Sequence, residues 1–100
     1  MLFPKTIFAE KNDINAQLDH LFSEMDEIRH EWIEQECLPR SERNYDHLAN
    51  ELVDIQHSAD TALRILQEKY GADAYGAYGR VTVNNTKRGY YGEAECNTQN

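Results

Sequence analysis

The stretch LANELVDIQHSADTALRIL, Leu48 to Leu66, decides the fold. Its apolar residues Leu48, Leu52, Ile55, Ala59, Ala62, Leu63 and Leu66 recur at steps of three and four, the spacing that lines up side chains on one face of an α-helix. Short polar residues between Ser41 and Asn44 suit its start. Gly71 ends it, with Lys69 in the last turn, where a cation suits the helix dipole. The spacing therefore predicts a helix over 43–70.

Upstream the same pattern returns. Ile14, Leu18, Leu21, Met25, Ile28 and Trp32 form a second stripe, with Asn12 or Asp13 as its cap. This helix, over 12–38, stops at Pro39, because proline disfavours helical geometry in the residue before it. The polar run PRSERN, Pro39 to Asn44, is a turn, so the two helices form an antiparallel hairpin. Such a hairpin has an apolar side and little of its own to bury it against. A second copy completes a four-helix bundle, so a homodimer or homotetramer is expected.

The flanks carry weaker signals. Residues 1–11 read as an extended arm. Residues 72–92, ADAYGAYGRVTVNNTKRGYYG, hold four glycines, which weaken a helix. RVTV alternates like a strand, but nothing in the chain would pair with it. A short helix over 73–86 is expected within a C-terminal segment spanning 73–92, followed by a frayed tail, 93–100. The whole reads as one all-α domain.

Composition narrows the function. Ten basic against eighteen acidic residues give a net charge of −8, unsuited to a nucleic-acid polymer as main partner. No apolar run approaches the ~18 residues of a membrane span. The start, MLFPKTIF, lacks the features of a signal peptide. Cys37 and Cys96 alone suggest no disulfide framework, and a reducing cytoplasm is the expected compartment.

The carboxylates are the chemical signal. Each helical residue advances about 100° around the axis. Glu51 and Asp54 then lie about 60° and 120° from the centre of their stripe, and Glu24 and Glu27 about 75° and 135° from theirs. Both pairs are displaced in the same rotational sense, so an antiparallel hairpin turns them into one groove, at matching distances from the turn. Four converging carboxylates repel one another, and a divalent cation resolves the repulsion. Oxygen ligands suit Mg²⁺ or Mn²⁺ better than zinc. Acidic pairs three apart are common in so acidic a chain; the convergence of two pairs is what singles these out. Glu31 and Glu34 extend the same side at about 95° and 155°, with Glu31 the better placed to support the site from outside the ligand set. A rival metal reading pairs Glu27 with His30 and Asp54 with His57, as in di-iron bundles. Both histidines point nearly opposite their stripes, which makes them surface residues, like His20 and His47.

EMDE, Glu24 to Glu27, followed by ELVD, Glu51 to Asp54, resembles the E-x-x-E … E-x-x-D signature of the MazG-like nucleoside triphosphate pyrophosphohydrolases, all-α enzymes related to the dimeric dUTPases. LDHLFSEMDEI and YDHLANELVDIQHSADTAL resemble the two helices that carry it, and NNTKRGYYG resembles the N-x-x-R-G-Y ending of many small members. Ser23 stands where many members have a first glutamate, and HEWIE offers an alternative register through Glu31 and Glu34. The resemblance implies Mg²⁺ held by Glu24, Glu27, Glu51 and Asp54, and hydrolysis of a nucleoside triphosphate to monophosphate and pyrophosphate. Glu24 or Glu27 would take the proton of the attacking water. Arg80, Lys87 and Arg88, with Asn84 or Asn85, would meet the phosphates. Tyr90 and Tyr91 read as packing residues, and Trp32 as core or dimer interface. The alternative function is a non-enzymatic helical-hairpin dimer, an interaction module whose acidic groove meets a basic partner.

Overall fold

The computed structural model describes residues 1–92, and the expected tail, 93–100, lies outside them. Every regular element among the described residues is helical. They run α1 (Phe8–Lys11), α2 (Ile14–Glu36), a 3₁₀ turn (Arg40–Glu42), α3 (Tyr45–Tyr70) and α4 (Ala74–Lys87).

The helix ends follow local chemistry. Asp13 caps α2, its Oδ1 accepting from the amide of Ala16 at 2.7 Å. Asn44 caps α3 by accepting from His47 N at 3.1 Å, and Asp73 caps α4 by accepting from Gly76 N at 2.9 Å. Gly71 takes the left-handed conformation, φ 72°, that closes α3. Lys69 acts outside its own helix. Its Nζ donates to the carbonyls of Glu10 and Asn12, at 3.0 and 2.9 Å, and so caps the C-terminal end of α1. RVTV is helical, inside α4.

The contacts between α2 and α3 run in opposite directions along the two helices. Gln35 accepts from Asn44 N, Glu31 meets His47, and Glu24 accepts from Ser58 Oγ. The connection is fixed by Arg43, whose guanidinium donates to the carbonyls of Leu38 and Glu36 and so satisfies groups that the end of α2 leaves free.

The first eleven residues are not extended throughout, since Phe8–Lys11 form one turn of helix. The whole segment lies against the C-terminal half of α3. Leu2 N donates to Asp60, Thr6 and Thr61 share a hydroxyl hydrogen bond, Arg64 donates to Phe3 O, and Phe3 stacks on His57 with ring centroids 4.6 Å apart. Ala9 is completely buried there.

Among the described residues the buried apolar set is small: Ala9, Leu48, Ala62, Ile65 and Ala74. Ile65 is the one large side chain in it with no exposed surface. The face that α2 turns to α3 is rotated by about 50° from the stripe read from sequence. Ile14, Gln17, Leu21, Glu24, Ile28, Glu31 and Gln35 are the less exposed residues of α2; Ile14, Leu21 and Ile28 belong to that stripe, whereas its Leu18, Met25 and Trp32 lie about 90° away, beside Phe22. Phe22 is 68% exposed, Met25 51% and, on α3, Leu52 51%. Trp32, 39% exposed, lies beside Tyr45, with ring centroids 6.3 Å apart. Tyr90 and Tyr91 are also exposed.

Candidate functional site

The rotation of α2 settles which carboxylates meet. Glu24 and Glu31, seven residues apart, both turn into the groove with α3, and their side chains are only 17% and 18% exposed. Glu24 accepts from Ser58 Oγ, and His20 Nε2 lies 3.2 Å from its Oε1. Glu31 faces Glu51 across the groove, with His47 Nε2 between them, 3.0 Å from Glu31 Oε1 and 3.2 Å from Glu51 Oε1. Glu27 lies farther round α2 and is exposed, as is Glu34. The ranking of α2 carboxylates therefore changes: Glu31, expected in support, is the residue that meets Glu51.

Asp54 is exposed along one flank and lines a cavity of about 300 Å³ together with Glu24. Gln17, His20, His57, Ser58, Thr61 and residues of the N-terminal segment complete its wall. Gln17, 2% exposed, ties the two helices there by donating to Ser58 O at 3.0 Å. One histidine departs from the surface reading. His57 points away from the α3 stripe, as its phase predicts, but the N-terminal segment folds over that side. Its Nε2 is enclosed among the cavity walls without a hydrogen-bond partner. His47 is half-exposed and sits between two carboxylates. His30 is a surface residue as expected, beside Asp26 at 3.5 Å, so the Glu27–His30 pair does not form a ligand set.

The expected phosphate-binding residues lie elsewhere. Arg80 is bound to the start of its own helix, its guanidinium donating to Asp73 Oδ2 and to Asp73 O, both at 3.0 Å. The amide of Gly76 and then the Arg80 guanidinium hold the Asp73 carboxyl below its ordinary value of 3.8. A Cβ at Gly76 would fall 1.9 Å from Asp73 Oδ2, so only glycine leaves room for this cap. Lys87 and Arg88 are exposed at the far end of α4, with Arg88 over the Tyr90 ring at 5.8 Å, and Asn85 is partly covered beside them. None of the four lines the carboxylate cavity.

Asp60 is the residue that sequence reasoning missed. It is 4% exposed and accepts from Leu2 N at 3.2 Å and from Tyr78 Oη at 3.1 Å, with Arg64 Nε 3.5 Å away. One carboxylate thus joins the N-terminal segment, α3 and α4. Partial desolvation, then the hydrogen bond to Asp60, raises the Tyr78 phenol above its ordinary 10.0. Asp60 and Arg64, four apart on a predicted helix, are the only sign of it in the sequence.

The donors of the groove lie in two places: Glu24 and Asp54, with His20 and His57, around the cavity, and Glu31 and Glu51, with His47, farther along. The carboxylate oxygens suit a hard divalent cation such as Mg²⁺ or Mn²⁺. Fold and groove define an all-helical chain with facing acidic side chains on two long helices. No family model, curated protein or solved structure matches it.

Proposed function

We propose that the chain is a MazG-like, Mg²⁺-dependent nucleoside triphosphate pyrophosphohydrolase that cleaves between the α and β phosphates, releasing a monophosphate and pyrophosphate. The observation that carries this reading is the meeting of carboxylates from α2 and α3 in one groove, beside a cavity that Glu24 and Asp54 share. Glu24 and Asp54, which share the cavity, would hold the ion, with Glu51 farther along the groove and Glu27 exposed beside it; Mn²⁺ is an alternative ion. A dication held there would neutralise phosphate charge and lower the pKa of a water. Glu24, fixed by Ser58 and His20, or the exposed Glu27, accepts that water's proton. Lys87 and Arg88 reach a polyphosphate only if assembly brings an α4 end across the groove.

In this reading the α2–α3 hairpin is half of a four-helix bundle, in a homodimer or homotetramer. A core whose one large, wholly enclosed side chain is Ile65 supports it, as does the exposed row of Leu18, Phe22, Met25 and Leu52. That same apolar row also favours the second reading, a non-enzymatic interaction module.

Pyrophosphate release from a panel of nucleoside triphosphates, with and without Mg²⁺ or Mn²⁺, separates the two. The enzyme releases pyrophosphate only with metal, the metal raises its melting temperature, and Asp54→Asn removes both effects. No release from any nucleotide, and a melting temperature indifferent to metal, would leave the interaction module standing.

A further inference from the structure

We infer that Glu31, His47 and Glu51 form a mixed nitrogen–oxygen site for a transition-metal dication of the Mn²⁺, Co²⁺ and Zn²⁺ class. The site lies in the same groove as the centre proposed above but does not rest on the hydrolase reading. Three observations carry it. First, the ligand atoms converge: His47 Nε2 lies 3.0 and 3.2 Å from oxygens of Glu31 and Glu51, and all three lie within 4.8 Å of one another. Metal–ligand bonds of about 2.0–2.2 Å place neighbouring ligand atoms roughly 3.0–3.4 Å apart, so little closure is required.

Second, a single imidazole nitrogen stands between two carboxylates. A neutral imidazole turning its Nε2 lone pair to the carboxylates adds a third acceptor to two. A protonated one brings a single N–H to two carboxylate oxygens. Among the described residues no lysine or arginine lies within ion-pair distance of Glu31 or Glu51. A dication serves all three atoms at once. Third, the site is anchored yet open. The two glutamates are mostly covered, at 18% and 26%, and come from different helices, while the imidazole is 53% exposed and leaves a side for water or another ligand.

The imidazole sets the metal class. Magnesium favours oxygen and keeps its waters, whereas an imidazole nitrogen favours the later first-row ions. The sequence hides this because Glu31 and His47 are sixteen positions apart, on either side of the turn.

Isothermal titration of the full chain with Co²⁺ alone and Mg²⁺ alone, without nucleotide, tests the site. The expected result is one Co²⁺ per chain, bound at least about 10-fold more tightly than Mg²⁺. His47→Gln should weaken Co²⁺ about 10-fold or more and leave Mg²⁺ within about 2-fold. Glu31→Gln should weaken Co²⁺ likewise, and Glu27→Gln should not. The half-exposed His47 side chain takes no part in the α3 cap, which uses its backbone amide, and circular dichroism confirms that the variants fold. Equal Co²⁺ affinity in wild type and His47→Gln overturns the inference, as does Co²⁺ that fails to bind at millimolar concentration. Pyrophosphate release that persists without Co²⁺ binding sinks this site alone. Co²⁺ binding without pyrophosphate release sinks the hydrolase alone.

Discussion

Replacing Asp60 with alanine tests how the N-terminal segment, α3 and α4 are held together. The substitution removes the acceptor for Leu2 N and Tyr78 Oη and the counter-charge of Arg64, whose side chain is 18% exposed. Each hydrogen bond to a charged group contributes about 1.5–3 kcal/mol, but the three partners share one carboxylate and do not add. Breaking a buried pair from one side costs about 3–5 kcal/mol, chiefly through the charge left behind. At about 4–8 °C per kcal/mol for a chain of this size, the melting temperature falls by roughly 12–40 °C. Set against a usual stability of about 5–15 kcal/mol, that is a large share. Thermal unfolding followed by far-ultraviolet circular dichroism measures it. Asp60→Asn keeps an acceptor and should lose less. Asp60→Leu combined with Arg64→Met removes both charges and should recover part of the loss. A fall under about 3 °C for Asp60→Ala would refute the joining role.

Gly71→Ala places a Cβ at φ 72°, where it meets open space, so the cost is backbone strain of about 1–2 kcal/mol, read as a loss of melting temperature. Tyr78 carries a sign-definite alkaline effect. Its value is raised in the folded state, so its contribution is whole below pH 10 and fades as pH climbs through the raised value; Tyr78→Phe should flatten that limb in a pH series of denaturant melts. Asp73 does the reverse, because its lowered value stabilises above 3.8 and the gain is lost as acid protonates it; Asp73→Ala should flatten the acid limb. Phe22→Lys alters a side chain that is 68% exposed in the single chain, so the fold should survive while the proposed dimer falls to monomer in sedimentation; an unchanged sedimentation coefficient counts against this row as the interface.

The long helices were legible because their ends are written locally: Asp13, Asn44 and Gly71 each do at a terminus what their chemistry suggests. The facing of α2 was not. An apolar stripe shows which side avoids water, but in a chain that leaves Phe22 and Met25 exposed it does not show which neighbour lies there. The structure keeps Leu21 and Ile28 of that stripe toward α3 but leaves Leu18, Met25 and Trp32 outside, carrying Glu31 in and Glu27 out. His57 misled for a related reason: its phase was read correctly, but the cover over it comes from residues more than fifty positions away. Arg80 looked like a phosphate ligand in an acidic chain, yet its partner Asp73 lies seven residues back, a spacing that brings the two together only in a cap.

The docking of the first residues has a consequence for biosynthesis. Leu2, Thr6 and Phe3 find their partners 58, 55 and 61 positions later, whereas Glu31 and Glu51 need only the intervening turn. Contacts so distant along the chain form late, after nearer ones have closed. Residues 1–11 are synthesised before α3 and must therefore wait, undocked, until the second half of α3 has emerged. Until then the niche between Asp54 and His57 lacks one wall, the one that Thr6 and Phe8 supply.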